Sequence, residues 1–297
     1  MSALHGIFVP LITPFATDGS VAFDALEQLA RDVLADGATG IVALGTTAES
    51  AALDNDERRA VVDVCTRVCR EHRSTLIVGA GANDTRGSAA ALAALGPEVS
   101  AAMVPVPYFT RPTPAGVVAH FSALAAVSPV PLIVYHVPYR TGLDLDADCL
   151  RALGGLPGVV GVKYSAGGID GDAIDLLSDP PRDFAVLAGD DAFVSPFLAL
   201  GASGGILASA VLATRQFVEL ADAWSAGDVA RARELGHRLT PLSAAAFAEP
   251  NPTVIKGVLH AQGRIPTPDV RLPLLPARQA SVDAALMLLP RLAGAVQ

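Results

Sequence analysis

The sequence predicts an α/β fold, a (β/α)8 TIM barrel with a C-terminal helical extension. Eight short apolar runs alternate with segments of helical periodicity over residues 1–225. The runs are almost continuously apolar, which is typical of parallel strands that are covered on their outer face. After Trp224 the pattern is helical only. These observations favour a barrel over residues 1–225 and an extension of the same domain over residues 226–297.

The predicted strands are short runs rich in Val, Ile, Leu and Ala. They are Gly6–Leu11, Gly40–Leu44, Thr75–Gly79, Ala101–Val104, Pro131–Tyr135, Val159–Lys163, Phe184–Ala188 and Gly204–Ala208. Each is followed by a segment of helical period, so the strands are expected to run parallel to one another.

The predicted helices carry one apolar face each. In Asp24–Asp36 that face consists of Leu26, Leu29, Ala30, Val33 and Leu34. Asp24 with Glu27, and Asp54 with Glu57 before the second helix, have the spacing of a capping box. The later barrel helices are predicted over Thr85–Leu95, Pro114–Val127, Asp146–Leu153, Ile169–Leu177, Asp191–Leu200 and Leu212–Trp224. The extension is predicted to be helical over Val229–Phe247, Thr253–Ala261 and Gln279–Ala293.

The composition argues against several classes of protein. A net charge of −9 without a basic patch does not suit a nucleic-acid-binding or anionic-membrane surface. No apolar run approaches the ~18 residues of a membrane span, and the N-terminus lacks the pattern of a signal peptide. Three cysteines, Cys65, Cys69 and Cys149, are an odd number without framework spacing. They are expected to be core or half-buried thiols in a reducing cytoplasm.

Metal chemistry is not expected. No cluster of His, Asp and Glu has metal-ligand spacing. Asp190 and Asp191 follow a predicted strand and precede a helix, where a helix N-cap is the ordinary role of an aspartate.

Lysine usage singles out one position. Only two of the 21 Lys and Arg residues are lysines, Lys163 and Lys256. Lys163 ends the apolar strand VVGVK, where an ammonium group is costly to desolvate. An amine, unlike a guanidinium, can lose its proton and attack a carbonyl. A snorkelling or ion-paired lysine is the alternative at this position, and Lys256 is expected to be structural.

The carboxyl ends of the predicted strands bring a coherent set of groups to one end of the barrel. Thr46 and Thr47 follow the second strand, Tyr135 and Arg140 lie at the end of the fifth, and Lys163 ends the sixth. This set suits a small keto acid. The Thr46 and Thr47 hydroxyls would hold a carboxylate, Lys163 would form a Schiff base, and Tyr135 would shuttle protons. A non-catalytic barrel that binds a keto acid is the alternative, but it would need neither the amine nor the phenol.

Five motifs, in order and spacing, carry a family resemblance: GTTAES, YHVPYRTG, GVKYSAG, LAGDD and AEPNPTVIKG. The chain resembles the dihydrodipicolinate synthase / N-acetylneuraminate lyase family, which consists of class I, pyruvate-dependent aldolases on a (β/α)8 barrel. The resemblance covers nearly the whole chain and is closest to the synthase branch. It implies a lyase that uses no cofactor other than the covalent imine.

The resemblance also implies roles for individual residues. Lys163 would be the Schiff-base lysine, Tyr135 the general acid/base, and Thr46 a member of the proton relay. Thr47 would bind the pyruvate carboxylate, the Ile206 backbone would line the pyruvate pocket, and Arg140 would receive the carboxylate of the aldehyde.

The implied reaction condenses pyruvate with L-aspartate 4-semialdehyde to 4-hydroxy-tetrahydrodipicolinate, in lysine and diaminopimelate biosynthesis. The implied partners are these small molecules and further copies of the chain, in a homo-oligomer that is a dimer or tetramer. Three departures from the family pattern keep open a related pyruvate aldolase or dehydratase acting on another aldehyde or a 2-keto-3-deoxy sugar acid. They are Ala48 for glycine, Phe109 for the second tyrosine of a pair, and Tyr164 for an acidic residue.

The lysine-feedback site that the resemblance implies is only partly present. Ser50, Ala51, Asn83 and Tyr108 match it, whereas Asn55 and Arg58 stand at histidine positions and Gly87 at that of a glutamate. We therefore expect insensitivity to lysine.

Overall fold

The structure, a computed structural model, describes residues 4–293. Its eight strands form one closed barrel, in which each strand is followed in space by the next strand of the chain. The strands are β1 Gly6–Pro10, β2 Gly40–Ala43, β3 Thr75–Gly79, β4 Ala101–Pro105, β5 Leu132–His136, β6 Val159–Tyr164, β7 Ala185–Ala188 and β8 Gly204–Ile206. Neighbouring strands such as β5 and β6 pair in parallel. The predicted (β/α)8 fold is confirmed.

The helices lie between the strands and after the last of them. They are α1 Phe23–Ala35, α2 Asn55–His72, α3 Thr85–Ala93, α4 Pro114–Ala125, α5 Pro138–Thr141, α6 Ala147–Gly154, α7 Gly171–Ser178, α8 Val194–Ala199, α9 Thr214–Ser225, α10 Val229–Ala246, α11 Thr253–Ala261, α12 Gln279–Leu286 and α13 Pro290–Ala293. The short α5 was not predicted, and the single helix predicted over Gln279–Ala293 is interrupted between α12 and α13. The division into a barrel over residues 1–225 and an extension over 226–297 stays a prediction.

One of the two predicted capping boxes is confirmed. The Asp54 side chain accepts a hydrogen bond from the Glu57 backbone N–H at 2.8 Å, and the Glu57 side chain accepts one from Asp54 N–H at 3.0 Å. The box at Asp24 is wrong, because α1 begins one residue earlier and its N-cap, Ala22, has no side chain that can cap. Glu27 instead accepts two hydrogen bonds from Arg67 of α2, both at 2.7 Å.

The described residues pack into two units. One unit draws on residues 4–6 and 77–206, and its largest buried side chains include Tyr164, Phe121 and Phe197. The other draws on residues 7–76 and 207–293 and buries Phe15 and Lys256 completely. Within residues 4–293, no helix has both the length and the apolar composition that crossing a bilayer would require.

Candidate active site

Lys163 and Tyr135 are side-by-side partners on neighbouring strands. The β5–β6 register pairs Tyr135 with Lys163 directly. Both side chains are buried, and the Lys163 Nζ lies 4.6 Å from the centre of the Tyr135 ring. The structure therefore brings the predicted nucleophile and the predicted acid/base together.

Burial changes the acid–base chemistry of this lysine. Desolvation lowers the pKa of Lys163 below its ordinary value, while the nearby Asp191 carboxylate opposes that shift and the Arg140 guanidinium adds to it. A lowered pKa increases the fraction of neutral amine at a given pH. Only the neutral amine can attack a carbonyl carbon.

The next residue pair along the two strands faces the other way, because side chains alternate along a strand. His136 pairs with Tyr164, and their ring centres lie 5.1 Å apart. The Tyr164 hydroxyl donates a hydrogen bond of 2.7 Å to Asp170, at the start of α7. Tyr164, one of the three departures, thus lies on the face of β6 opposite Lys163. His136 also lies on this face, as strand alternation predicts.

Gly189, directly after β7, lies against the side chain of Lys163. A Cβ atom at position 189 would lie 2.9 Å from both Cγ and Cε of Lys163 and would collide with Ser165 Oγ. Real Cβ atoms do not approach other atoms this closely, so only glycine leaves the lysine in place.

Replacing Gly189 with alanine is expected to displace Lys163 and to slow imine formation by about 100-fold, since small misplacements of a reacting group have effects of that order. The rate of borohydride trapping with a keto acid measures it. Gly168→Ala is the matched control, because a Cβ there would meet its nearest neighbour, Phe193, at an ordinary 3.9 Å. Equal trapping rates in the two variants would contradict the prediction.

Asp190 ties two loops of the site together. Its carboxylate accepts a hydrogen bond of 2.7 Å from the backbone N–H of Gly167, in the loop after β6. Gly167 has φ +87°, which favours glycine. Asp190 occupies the predicted N-cap position, here of the 3-10 turn Asp191–Phe193, but its side chain makes no capping hydrogen bond to that turn. α8 begins only after this turn.

Arg140 and Ile206 lie at the carboxyl ends of β5 and β8. Arg140 is exposed on α5, immediately after β5, and its guanidinium stacks 5.4 Å from the centre of the Tyr139 ring. Ile206 is the last residue of β8 and is fully buried. An exposed guanidinium at the carboxyl end of a barrel strand is available to an incoming carboxylate.

The turn after β2 carries the two predicted hydroxyls. It is the 3-10 turn Thr46–Ala48, in which Thr46 is exposed and Thr47 is 4% exposed. Leu44, two residues before the turn, and Glu49, directly after it, have φ of +54° and +53°. Left-handed backbone is unfavourable for both side chains and persists only where surrounding contacts enforce it.

Side-chain hydrogen bonds from elsewhere in the same unit hold this turn. Asn251 Nδ2 donates to Thr47 Oγ1 at 2.9 Å, and Thr13 Oγ1 donates to the Ala48 carbonyl at 2.7 Å. Ala48 itself sits within the 3-10 turn with its methyl buried. The departure from glycine at this position therefore requires no left-handed backbone.

Glu49 anchors the end of the turn through a buried ion pair. Lys256 Nζ donates to Glu49 Oε1 at 2.5 Å, and the side chains are 0% and 2% exposed. The same ammonium donates to the Asp269 carbonyl at 2.7 Å and lies 3.9 Å from the centre of the Phe15 ring. Arg271 N–H donates to Glu49 Oε2 at 2.7 Å. Burial lowers the pKa of Lys256 to about 8, against the opposing effect of Glu49. This geometry agrees with the structural role expected for Lys256.

Phe109, the remaining departure, lies in the loop after β4. Its side chain is 88% exposed and its φ is +68°. The neighbouring Tyr108 is 41% exposed.

Sequence reasoning did not identify Gly189, Asn251 or the partner of Lys256. Gly189 lies in the motif LAGDD, Asn251 in AEPNPTVIKG, and Glu49, the partner of Lys256, in GTTAES. Their contacts, however, join residues that are far apart in the chain. Within residues 4–293, no three His, Cys, Asp or Glu side chains are grouped as metal ligands, and Cys65, Cys69 and Cys149 are buried free thiols.

Comparison with known proteins gives consistent matches. The model of the dihydrodipicolinate synthetase family matches residues 3–289. The 4-hydroxy-tetrahydrodipicolinate synthase of Neisseria gonorrhoeae (strain ATCC 700825 / FA 1090) is 39% identical over 95% of this chain and 98% of that protein.

Solved structures match over a similar extent. Dihydrodipicolinate synthase from Acinetobacter baumannii, chloride inhibited and complexed with pyruvate, is 32% identical, with a TM-score of 0.92 over 99% of both chains. The enzyme from Cyanidioschyzon merolae with lysine bound is 27% identical, with a TM-score of 0.91 over 97% of this chain and 98% of that one. A monomeric dihydrodipicolinate synthase variant is 29% identical, with a TM-score of 0.93 over 99% of this chain and 98% of that chain.

Proposed function

The chain belongs to the dihydrodipicolinate synthetase family, and from that premise we propose that it is a lyase that condenses pyruvate with L-aspartate 4-semialdehyde. The product is 4-hydroxy-tetrahydrodipicolinate, in lysine and diaminopimelate biosynthesis. The single observation that carries the proposal is the buried Lys163 beside Tyr135. The name of the Neisseria relative, 4-hydroxy-tetrahydrodipicolinate synthase, supports the product, and the two substrates are those that the family resemblance implies.

The reaction begins with covalent capture of pyruvate. The neutral amine of Lys163 attacks the carbonyl carbon, and the carbinolamine loses water to give a protonated imine. Because the iminium nitrogen withdraws electrons, the pyruvate methyl group can lose a proton to form an enamine. The enamine carbon then attacks the aldehyde carbon, and the new alkoxide takes up a proton. The amine of the semialdehyde attacks the imine carbon and displaces the amine of Lys163, which closes the ring of the product and frees the enzyme. The imine supplies the electron sink, so the proposed chemistry calls on no further cofactor.

Tyr135 is assigned the proton transfers of these steps. Its phenol lies next to the lysine on which the carbinolamine and imine form, and a phenol can donate or accept a proton. Thr46 would pass protons onward as part of a relay.

The remaining residues would hold the two substrates. Thr47 would bind the carboxylate of pyruvate, and the backbone of Ile206 would line the pocket. Arg140 would pair with the carboxylate of the semialdehyde, since a guanidinium can engage a carboxylate through two parallel hydrogen bonds.

Borohydride trapping with pyruvate tests the proposal. Reduction fixes the imine as a stable amine, and mass spectrometry locates it. The chain makes the assignment simple, because Lys163 and Lys256 are its only lysines. We expect an adduct of pyruvate mass on Lys163, followed by turnover with L-aspartate 4-semialdehyde.

Two outcomes would redirect the proposal. No adduct at saturating pyruvate would overturn the imine chemistry. An adduct without turnover of the semialdehyde would favour a related aldolase or dehydratase for another aldehyde or sugar acid. The observation that favours this alternative is that Phe109 has no hydroxyl group where the family has the second tyrosine of a pair.

We further propose that the chain forms a homo-oligomer, a dimer or a tetramer, and that it works in the cytoplasm. The exposed phenyl ring of Phe109 supports association, because a large apolar side chain on a left-handed backbone gains most when another surface covers it. Three buried free thiols support a reducing compartment.

Lysine is expected to leave the activity of this chain unchanged. Gly87 supplies no carboxylate for an ammonium, and its N–H is occupied by a 2.9 Å hydrogen bond to Asp84. Losing a charge-assisted hydrogen bond weakens binding by about 10- to 100-fold. Steady-state rates with and without millimolar lysine measure the effect. Strong inhibition in that range would contradict the prediction.

A further inference from the structure

We propose that Asn251 is a positioning residue that directs the proton of the Thr47 hydroxyl toward the keto acid's carboxylate. The inference rests on the proposed function, in which Thr47 binds that carboxylate. It concerns a residue of the segment between α10 and α11, outside the barrel strands.

The direction of the hydrogen bond carries the argument. A threonine hydroxyl has one proton to donate and two lone pairs. Asn251 Nδ2 donates to Thr47 Oγ1 at 2.9 Å and so occupies one of the lone pairs. An amide nitrogen cannot accept a proton in return. The Thr47 proton therefore stays available for another acceptor, and a carboxylate can only accept.

The amide also removes competing orientations of that hydroxyl. Threonine hydroxyls in turns and helices readily donate to backbone carbonyls of the preceding turn. With one lone pair engaged by Asn251, the O–H vector is confined to directions away from the amide. A hydroxyl that is already oriented binds its acceptor without losing rotational freedom at that moment.

The buried pair of Lys256 and Glu49 helps to hold Asn251 in position relative to the turn. Lys256, five residues further along, forms the buried pair with Glu49, which lies two residues after Thr47. This ion pair and the hydrogen bond from Asn251 to Thr47 both join residues 251–256 to residues 47–49, within one unit. Asn251 Nδ2 is therefore held at hydrogen-bonding distance by a contact that does not depend on substrate.

Asn251 keeps this contact at a cost. Its Oδ1 is buried and has no hydrogen-bond partner among the described residues. Buried polar atoms without partners are unusual in structural positions and occur more often at functional sites. The bond to Thr47 is the polar contact that this side chain makes.

Two variants of Asn251 separate direction from packing. Asn251→Asp keeps the shape but replaces the donor with an acceptor, which takes the Thr47 proton away from the substrate. We expect it to raise KM for pyruvate by about 10- to 100-fold, the range for a hydrogen bond to a charged group. Asn251→Ala leaves the Thr47 proton free but unoriented, and we expect a rise of about 5-fold or less. A packing role predicts the reverse order, because alanine removes more contacts than the isosteric aspartate.

The same two measurements in a Thr47→Val background control for the added charge. Without the hydroxyl, Asn251→Asp should raise KM much less than it does in the wild type. An undiminished effect would mean that the aspartate simply repels the carboxylate, and the inference would be overturned. Asn251→Ala equal to or worse than Asn251→Asp would overturn it as well.

Borohydride trapping of the wild type distinguishes this failure from failure of the proposed function. No pyruvate adduct on wild-type Lys163 would remove the premise itself. Normal trapping in the wild type, with Asn251→Asp no more impaired than Asn251→Ala, would sink only the role of Asn251. Trapping rates measured from limiting to saturating pyruvate give the half-saturating pyruvate concentration and the maximal trapping rate separately.

Discussion

Lys163→Arg is expected to abolish pyruvate trapping and to lower kcat by at least about 10⁴-fold, in line with the loss of a covalent nucleophile. Arginine keeps a positive charge and comparable reach, but its guanidinium does not lose its proton and cannot form an imine. The change therefore removes the nucleophile and leaves the charge beside Tyr135 in place. Mass spectrometry after borohydride reduction and a steady-state condensation assay measure the two effects.

Lys163→Ala guards against a purely structural explanation, because it removes the side chain without forcing a guanidinium into the buried site. Circular dichroism establishes whether each variant is folded. A folded arginine variant with activity within tenfold of the wild type would show that the amine is not the nucleophile. An adduct that persists in both variants would place the imine on Lys256 or the N-terminus.

Lys256→Met is expected to lower the free energy of unfolding by about 3–5 kcal/mol, the usual effect of removing one partner of a buried ion pair. Methionine matches the length of the lysine stem but leaves the Glu49 carboxylate buried without its cation. Because Glu49 ends the turn that carries Thr47, KM for pyruvate should rise as well. Urea unfolding followed by fluorescence or circular dichroism measures the change in stability.

Two further variants serve as controls for that prediction. Lys256→Met combined with Glu49→Gln should recover part of the lost stability, because a neutral amide leaves no unpaired charge. Arg278→Met removes the cation of an exposed pair, in which the Arg278 side chain is 78% exposed, and should cost less than about 1 kcal/mol. Equal losses for Lys256→Met and Arg278→Met would contradict the special role of the buried pair.

The barrel could be predicted because its signals are local. Each strand is a short apolar run, and six of the eight strands, all but β5 and β8, match the predicted bounds or differ from them by one terminal residue. Lys163 and Tyr135 could be paired in advance, since both were expected at the ends of neighbouring parallel strands. The capping box predicted at Asp24 is wrong because α1 begins one residue earlier than predicted, and because the Glu27 carboxylate accepts hydrogen bonds from Arg67 of α2 instead.

The support of the site could not be predicted in the same way. Asn251 and Thr47 are 204 positions apart, and no periodicity relates them. Gly189 is required because it has no Cβ atom, and this requirement becomes visible only in the structure, where the Lys163 side chain lies against it. The predicted strand ended at Lys163, so alternation was not applied to Tyr164; β6 extends to Tyr164, whose side chain lies on the face opposite Lys163.

The link from Glu49 to Lys256 has a consequence for synthesis on the ribosome. Its two ends are 207 residues apart. At about 5–20 residues per second, translation needs on the order of 10–40 s to produce the second end after the first. Until then the Glu49 carboxylate lacks the ammonium group of Lys256, so one of the contacts that stabilise the left-handed backbone at Glu49 is absent. The turn after β2 therefore gains this support only after the segment that carries Lys256 has been made.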